Sequence, residues 1–205
     1  NYATISWYLV EGCTRPASDG DKQAGQHYGV WQMYNETTGL HDIFIRIDNF
    51  DYNPDAGTDS QGGVITTGLN NENLDISARD DNVIIVMESD GTIFAYYSTD
   101  GFDSFETVEI GLGSSPRIAE TDDGAIVTFV KDDLLYVTQS LDNGATWETP
   151  TQLSENTVYD GFHDSDVSIG GAAYTGTDDI IYFEPNVGAA RPIITIDSIS
   201  GGLGV

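Results

Sequence analysis

The stretch Ser140–Trp147, with the sequence SLDNGATW, decides how this chain is interpreted. It follows an apolar run and combines three features of a tight turn. Asp142 can accept hydrogen bonds from backbone N–H groups. Gly144 permits a positive φ, and Trp147 offers a large apolar surface for packing between sheets. We therefore interpret the stretch as a turn between two β-strands, in which the aspartate has a structural role.

Weaker copies of this turn recur along the chain. Upstream, Ser98, Asp100 and Phe105 occupy the positions of the serine, the aspartate and the tryptophan. Downstream, Glu184–Gly188 keeps an acidic residue and the glycine. The spacing is close to 43 residues, and a period of about 40–45 residues is typical of repeated four-stranded units.

Apolar segments that precede the turns align in the same way. Short acidic or glycine-rich turns separate them, as in antiparallel hairpins. Each unit has a first, a second and a third segment: Leu74–Ser77, Val83–Met87 and Thr92–Tyr97; Pro116–Ala119, Ala125–Phe129 and Leu134–Thr138; Ser165–Ser168, Gly170–Tyr174 and Ile180–Phe183. With the strand after the turn, each unit predicts a four-stranded antiparallel sheet.

The N-terminal part fits the pattern less closely. His27–Tyr34 and His41–Ile47 read as middle strands, and Gly63–Leu69 reads as an outer strand. Thr4–Val10 is the expected inner strand, followed by an irregular insertion through Gln26. Helical periodicity is absent throughout, so we expect almost no helix.

The repeats predict an all-β β-propeller of about four four-stranded antiparallel blades. These blades form either a complete ring or a portion of a larger propeller. Residues 1–192 are assigned to the repeat domain. Residues 193–205 contain one plausible strand, Ile193–Ile196, which either closes the ring or begins a following Ig-like domain.

The charge balance limits the classes of partner. The chain has 205 residues with 34 acidic and 7 basic side chains, a net charge of −27. Such a chain repels phosphate groups, which excludes nucleic acid and disfavours anionic membrane surfaces. No apolar run approaches the length that spans a bilayer, so we expect no membrane span.

The turn at Ser140–Trp147 resembles the Asp-box, or BNR repeat, the Ser-x-Asp-x-Gly-x-x-Trp turn of sialidase-like β-propellers. It matches every defining position, and the turn at Ser98–Phe105 matches loosely. The resemblance covers roughly residues 27–184. It implies that the boxes lie on the blade rim, away from the central mouth. Together with the acidity, it implies an extracellular or cell-surface location.

Sialidases resemble one another in three arginines that bind the substrate carboxylate, a tyrosine nucleophile with its glutamate, and an aspartic acid. The family also resembles itself in a Tyr/Phe-Arg-Ile-Pro element that enters the first inner strand, and Ser115–Ala119 matches only the Arg-Ile core of that element, at Arg117 and Ile118. Arg79 falls in a turn. The chain has five arginines in all: Arg15, Arg46, Arg79, Arg117 and Arg191. We therefore expect no sialidase cluster and no enzymatic activity.

Three residues align on the inner strands of successive units: Asp75, Arg117 and Asp166. Equivalent positions in a propeller surround the central channel. These side chains are expected to form a polar mouth, either as a structural ion pair or as a shallow site for a sugar or peptide.

Residues 51–59 form a candidate calcium loop. Side-chain oxygens recur at alternate positions in it, and Ca²⁺ requires 6–8 oxygen ligands. The candidate ligands are Asp51, Asn53, Asp55 and Asp59, with Asp48 contributing from outside. The alternative is a solvated acidic insertion in a turn.

Three functions are compatible with these features. We expect a non-catalytic structural or adhesion module at the cell surface, whose partner is a carbohydrate or a protein. The first alternative is a carbohydrate-binding or glycoside-hydrolase propeller of the sialidase-like kind. The second is a filament or envelope subunit, in which Ile193–Ile196 pairs with a sheet edge of another copy.

Overall fold

The computed structural model describes residues 13–21, 26–49, 60–65, 68–101, 103–121, 124–166, 171–178 and 180–185. Within these ranges there are fifteen β-strands and no helix, and hence no helical segment with the length and apolarity that a bilayer crossing requires. The strands form four antiparallel sheets, here called A to D in chain order. The prediction of an all-β chain built from consecutive antiparallel sheets is confirmed.

Sheet A begins with a strand that the sequence did not predict. Its strands lie in chain order: β1 (Cys13–Asp21), β2 (Gln26–Asn35), β3 (Leu40–Asn49) and β4 (Ser60–Ile65). β1 occupies a segment that was expected to be an irregular insertion. The reason for that expectation is that its Pro, Gly and Asp residues are poor strand formers. A register shift between Thr14 and Ala17 places Pro16 in a bulge, where a strand tolerates proline. Thr4–Val10, the predicted inner strand, lies outside the described residues.

Sheets B and C are near copies of each other. Sheet B contains β5 (Glu72–Arg79), β6 (Asn82–Ser89), β7 (Thr92–Ser98) and β8 (Glu106–Leu112). Sheet C contains β9 (Ser114–Thr121), β10 (Gly124–Lys131), β11 (Leu134–Ser140) and β12 (Thr151–Gln152). Both are simple meanders. The pairs Asp80–Asp81 and Asp132–Asp133 have positive φ at both residues, as two-residue hairpin turns of type I′ require.

Sheet D has three strands within the described residues. They are β13 (Val158–Asp166), β14 (Gly171–Gly176) and β15 (Ile181–Pro185). The segment after β15, where the fourth strand of this unit is predicted, lies outside the described residues. Residues 193–205, the predicted closing strand or following domain, lie outside the described residues.

Apolar layers hold neighbouring sheets face to face. The run Val83–Met87 is completely buried, because successive side chains of a strand point to opposite faces. Ile85 and Met87 enter the layer shared with sheet A, whereas Ile84 and Val86 enter the layer shared with sheet C. A third layer joins sheets C and D through Ile126, Leu135, Val158, Ala172 and Tyr174. A strand buried on both faces reads as a continuous apolar run rather than an alternating one.

The turns at residues 98–104 and 140–146 have the same hydrogen bonds. Asp142 accepts the N–H and the hydroxyl of Thr146 at 2.8 and 2.6 Å, and the Ser140 hydroxyl donates to Asp142 at 2.8 Å. Asp100 accepts the N–H and the hydroxyl of Ser104 at 3.0 and 2.6 Å. Both aspartates therefore close a turn between the third and fourth strands of their sheets.

The aromatic residue that ends each turn packs against its own sheet or the layer beside it. The Trp147 ring is partly buried on the layer between sheets B and C, and its Nε1 donates to the Gly144 carbonyl at 3.0 Å. Phe105 lies edge-on to Tyr96, with 6.0 Å between ring centroids. Trp147 thus serves as the clamp between two sheets that the sequence suggested.

Gly144 is expected to be a stability determinant of this clamp. Its φ is +91°, and a Cβ there would lie 3.0 Å from Tyr97 Cβ and 3.2 Å from Ile84 Cδ1. Gly144→Ala should lower the free energy of unfolding by about 2 kcal/mol, through backbone strain together with steric overlap. Gly91→Ala is the matched control, since Gly91 has φ +76° and open space around its Cβ position. Strain alone should cost about 1 kcal/mol there. Equal losses in urea titrations would show that Gly144 makes no critical close approach.

Candidate functional site

The first strands of the four sheets, here called the inner strands, lie side by side, and side chains join them across sheet boundaries. Each of these strands pairs within its own sheet along one edge, and its other edge carries backbone groups that need partners. Asp19 accepts the N–H of Ala78 at 2.9 Å, which links β1 to β5. Asp75 accepts the N–H of Ile118 at 2.9 Å, which links β5 to β9. Carboxylates on inner strands thus satisfy the exposed backbone of the next inner strand.

His163 makes the corresponding link between sheets C and D. Its side chain is buried, with Nε2 2.6 Å from the Ser115 carbonyl oxygen and Nδ1 3.3 Å from Thr128 Oγ1. Because a carbonyl can only accept, Nε2 carries the proton and Nδ1 accepts from the Thr128 hydroxyl. Burial lowers the pKa of His163 to about 4, and the nearby Arg117 charge acts in the same direction. At neutral pH the imidazole is a neutral structural link.

The beginnings of β5 and β9 share an unusual backbone conformation. Asn73 and Ser115 have φ of +51° and +52°, and the pairing of both strands changes register close to these residues. Glu88 holds both positions. Its Oε2 accepts a hydrogen bond from the side-chain amide of Asn73 at 2.8 Å and another from the backbone N–H of Ser115 at 3.1 Å. Non-glycine residues adopt this conformation only where the surroundings enforce it. One carboxylate therefore shapes the start of two inner strands.

Two acids meet near the opposite ends of the inner strands. Asp19 Oδ2 and Glu120 Oε2 lie 3.2 and 3.4 Å from the hydroxyl oxygen of Ser77. The three residues belong to β1, β5 and β9, and thus to three different sheets. The two carboxylates are partly exposed, whereas Ser77 is 5% exposed. We call Asp19, Ser77 and Glu120 the acid pair site.

The structure places two of the three residues predicted to line a common mouth at matching positions of adjacent strands. Asp75 and Arg117 occupy matching mid-strand positions, paired with Val86 and Thr128. Asp166 is the last residue of β13 and pairs with Gly171 beside the turn. Asp166 therefore stands at a strand end and not in mid-strand, and a mouth shared by the three residues stays a prediction. The Asp75 carboxylate binds the Ile118 N–H, and the Arg117 guanidinium donates to the Pro116 carbonyl at 2.7 Å.

The candidate calcium loop falls almost entirely on residues that the structure does not describe. This holds for Asp51, Asn53, Asp55 and Asp59. Asp48 lies near the end of β3, where its backbone pairs with His27 and Ser60. Among the described residues, no group of three or more His, Cys, Asp or Glu side chains is arranged to hold a metal ion.

The aspartates of the two repeated turns are engaged as acceptors. The Ser104 hydroxyl is the main cause that lowers the pKa of Asp100 to about 2. The Thr146 hydroxyl likewise lowers the pKa of Asp142. Each carboxylate stays ionised at neutral pH, and each accepts hydrogen bonds from its own turn. Neither is therefore suited to donate a proton to a substrate.

Sequence reasoning overlooked the residues that the fold brings together. Asp19 lies in a segment that was interpreted as an insertion. Glu120 precedes an acidic turn, so its sequence context does not distinguish it from the other acidic residues there. Glu88 follows a buried apolar run, and no motif in the sequence singles out His163. The 43-residue period contained one usable signal: Ser77 and Glu120 are one repeat apart, so they lie on neighbouring inner strands.

Comparisons with known proteins give matches at the level of structure. No family model and no curated protein sequence matches the chain. A Trypanosoma rangeli sialidase in complex with 2,3-difluorosialic acid, described as a covalent intermediate, is 12% identical with a TM-score of 0.47. That similarity covers 86% of this chain and 38% of the sialidase. A second Trypanosoma rangeli sialidase structure is 13% identical with a TM-score of 0.41, and 78% of this chain and 32% of that chain are covered.

These comparisons correct one expectation. The chain was predicted not to be an enzyme, but both structural neighbours are sialidases, which are enzymes. The expectation of a non-enzyme is therefore not kept. This chain spans well under half the length of either sialidase.

Proposed function

We propose that this chain is a carbohydrate-active protein of the glycoside-hydrolase kind, and that the acid pair site carries the reaction. The observation behind the proposal is the contact of Asp19 and Glu120 with one hydroxyl group, that of Ser77. Glycoside hydrolysis generally uses two carboxyl groups on either side of the scissile bond. Among the described residues, the acid pair site supplies such a pair from two inner strands.

The separation of the two acids bears on the type of reaction. Retaining glycosidases hold their carboxyl groups about 5–5.5 Å apart, and inverting enzymes about 6.5–9.5 Å apart. The two oxygens each lie within 3.4 Å of Ser77 Oγ, so they are separated by at most twice that distance. This limit favours a retaining mechanism, in which one carboxylate attacks the anomeric carbon.

Hydrogen bonding distinguishes the roles of the two acids. Asp19 accepts the Ala78 N–H as well as contacting Ser77, so its carboxylate is held in one orientation as an acceptor. An oriented carboxylate is suited to attack the anomeric carbon. Glu120 makes the longer contact and is suited to give a proton to the leaving oxygen and later to take one from water.

Charge points to a class of glycan. The chain has a net charge of −27, and the acid pair site adds two carboxylates at the place of reaction. An anionic sugar would be repelled there, whereas a neutral sugar would not. We therefore propose that the substrate is a neutral glycan, at the cell surface or in the extracellular space that the acidity favours.

The proposal includes a propeller arrangement of the sheets. Support comes from the adjacent inner strands, the shared layers between sheets and the repeated turns with an Asp-box sequence. In this arrangement sheets A to D are successive blades around an axis. We also propose that residues 51–59, with Asp48, bind a calcium ion.

A panel of chromogenic glycosides tests the function. The full chain should release the chromophore from at least one neutral sugar, with retention of anomeric configuration visible by NMR, and more slowly or not at all from a sialoside. Preference for the sialoside would contradict the proposed substrate class. Absence of turnover on the whole panel would contradict the enzyme proposal. Glycan-array binding without turnover would instead indicate a carbohydrate-binding module.

A further inference from the structure

The turn between the third and fourth strands of sheet C contains the only Asn-Gly pair in the sequence, Asn143–Gly144. Asn143 is exposed, and its side-chain amide makes no hydrogen bond to any of the described residues. Its φ is +57°, a conformation that asparagine adopts more readily than most residues. An asparagine followed by glycine is the pair most open to deamidation, because glycine has no side chain to hinder attack on the asparagine.

The chemistry of deamidation identifies the atom that must react. The backbone nitrogen of Gly144 gives its proton to hydroxide and attacks Cγ of Asn143. The new C–N bond closes a five-membered succinimide ring, and the side-chain nitrogen takes a proton from water and leaves as ammonia. Water then opens the ring at either carbonyl carbon, which gives aspartate or isoaspartate. The reaction therefore requires that the Gly144 N–H reaches water and that the backbone can rotate.

The folded turn gives Gly144 neither of these conditions. Its N–H donates to the Ser140 hydroxyl oxygen at 2.8 Å, and this hydrogen bond is buried. Its carbonyl accepts the indole N–H of Trp147 at 3.0 Å. Its Cα packs so closely that a Cβ would lie 3.0 Å from Tyr97 and 3.2 Å from Ile84. The peptide nitrogen is thus shielded from water, and the backbone around it has little room to rotate.

We propose that Asn143 is a latent deamidation site, which the hydrogen bond from Gly144 to Ser140 keeps unreactive while the turn is folded. This inference is independent of the proposed function. It gives the serine of the turn a second role, because the Ser140 hydroxyl also donates to Asp142 at 2.8 Å and so closes the turn. Local opening of the turn exposes the Gly144 N–H and allows the reaction to begin.

Deamidation at this position alters the contact between sheets B and C. Isoaspartate carries the main chain through the former side chain, which adds one methylene group to the backbone at residue 143. Gly144 then shifts relative to Tyr97 and Ile84, against which it packs closely. The Trp147 ring ends the same turn and packs on the same apolar layer. The isolated isoaspartate form should therefore unfold at a lower urea concentration than the unmodified chain.

Incubation of the full chain at alkaline pH, followed by peptide mapping with mass spectrometry, tests the proposal. Asn143 of the unaltered chain should deamidate much more slowly in the folded state than in concentrated urea. Ser140→Ala should raise the rate in the folded state by about tenfold, since a hydrogen bond of ordinary net strength changes the population of an opened turn by about that factor. Trp147→Phe removes the bond to the Gly144 carbonyl and should also raise the rate.

Ser98→Ala is the matched control, because Ser98 donates to Asp100 in the corresponding turn of sheet B, which contains no asparagine. It removes the equivalent hydrogen bond and leaves Gly144 untouched, so Asn143 should react at the rate of the unaltered chain. The proposal is overturned if Ser140→Ala reacts no faster than Ser98→Ala where tryptophan fluorescence shows both to be folded. Equal rates for the unaltered chain when folded and when unfolded in urea would also overturn it, even if Ser140→Ala fails to fold.

Discussion

Glu120→Gln is expected to lower kcat/KM for a neutral glycoside by about 10²–10⁴-fold, because removal of a positioned general acid typically has an effect of this size. Glutamine keeps the shape of the side chain and can still reach the Ser77 hydroxyl, so the fold should be preserved. What it loses is the proton that the leaving oxygen needs. The loss should therefore be larger for substrates with poor leaving groups than for activated aryl glycosides.

Asp19→Asn is expected to abolish the covalent step while keeping an oxygen for the Ala78 N–H. The matched control is Glu109→Gln, which removes one negative charge from an exposed position on β8. This control should retain activity within a factor of about two, since the change in net charge is the same and the site is untouched. Melting temperatures of the three variants should agree within a few degrees. Equal activity of Glu120→Gln and Glu109→Gln would remove Glu120 from the mechanism.

The repeated sheets were predictable because their signals are local. The turn at 140–147 contains its serine, aspartate and glycine within a few residues, and the hydrogen bonds of Asp142 stay inside that turn. The buried run Val83–Met87 is long enough to identify a strand covered on both faces. β1 was missed for the opposite reason. Its composition favours turns, and only pairing with β2 makes it a strand.

The candidate site was less accessible to sequence reasoning. Asp19 and Glu120 come together because three inner strands lie side by side with a particular stagger, and this stagger depends on bulges and on hairpin turn lengths. The same dependence explains the displacement of Asp166. Asp166 pairs at the end of its strand and Asp75 in the middle of its strand, although their sequences align. A repeat predicts which strands are neighbours. The height of each side chain along its strand can be predicted only when the pairing register is known.

Lowering the pH from 7 to 5 is expected to destabilise the chain by about 2 kcal/mol through His163 alone. The pKa of this residue is about 4 in the folded chain, mainly because burial disfavours the charged imidazole, and about 6.5 in an unfolded chain. Between these values the unfolded state binds a proton that the folded state does not. The stabilising contribution of His163 is therefore fully present above pH 6.5 and is lost as the pH falls towards 4. At pH 4 the loss amounts to about 3 kcal/mol.

The structure gives the reason for this cost and a way to isolate it. Protonation would turn Nδ1 into a donor facing the Thr128 hydroxyl and would place a charge beside Arg117, inside the contact between sheets C and D. His163→Gln keeps a donor and an acceptor without a titrating group, so its urea unfolding should depend less on pH by about 2 kcal/mol over this range. His27→Gln serves as the control for the replacement of a histidine by glutamine elsewhere in the chain. If His163→Gln and the unaltered chain lose the same stability between pH 7 and 5, His163 is not a neutral link between these two sheets.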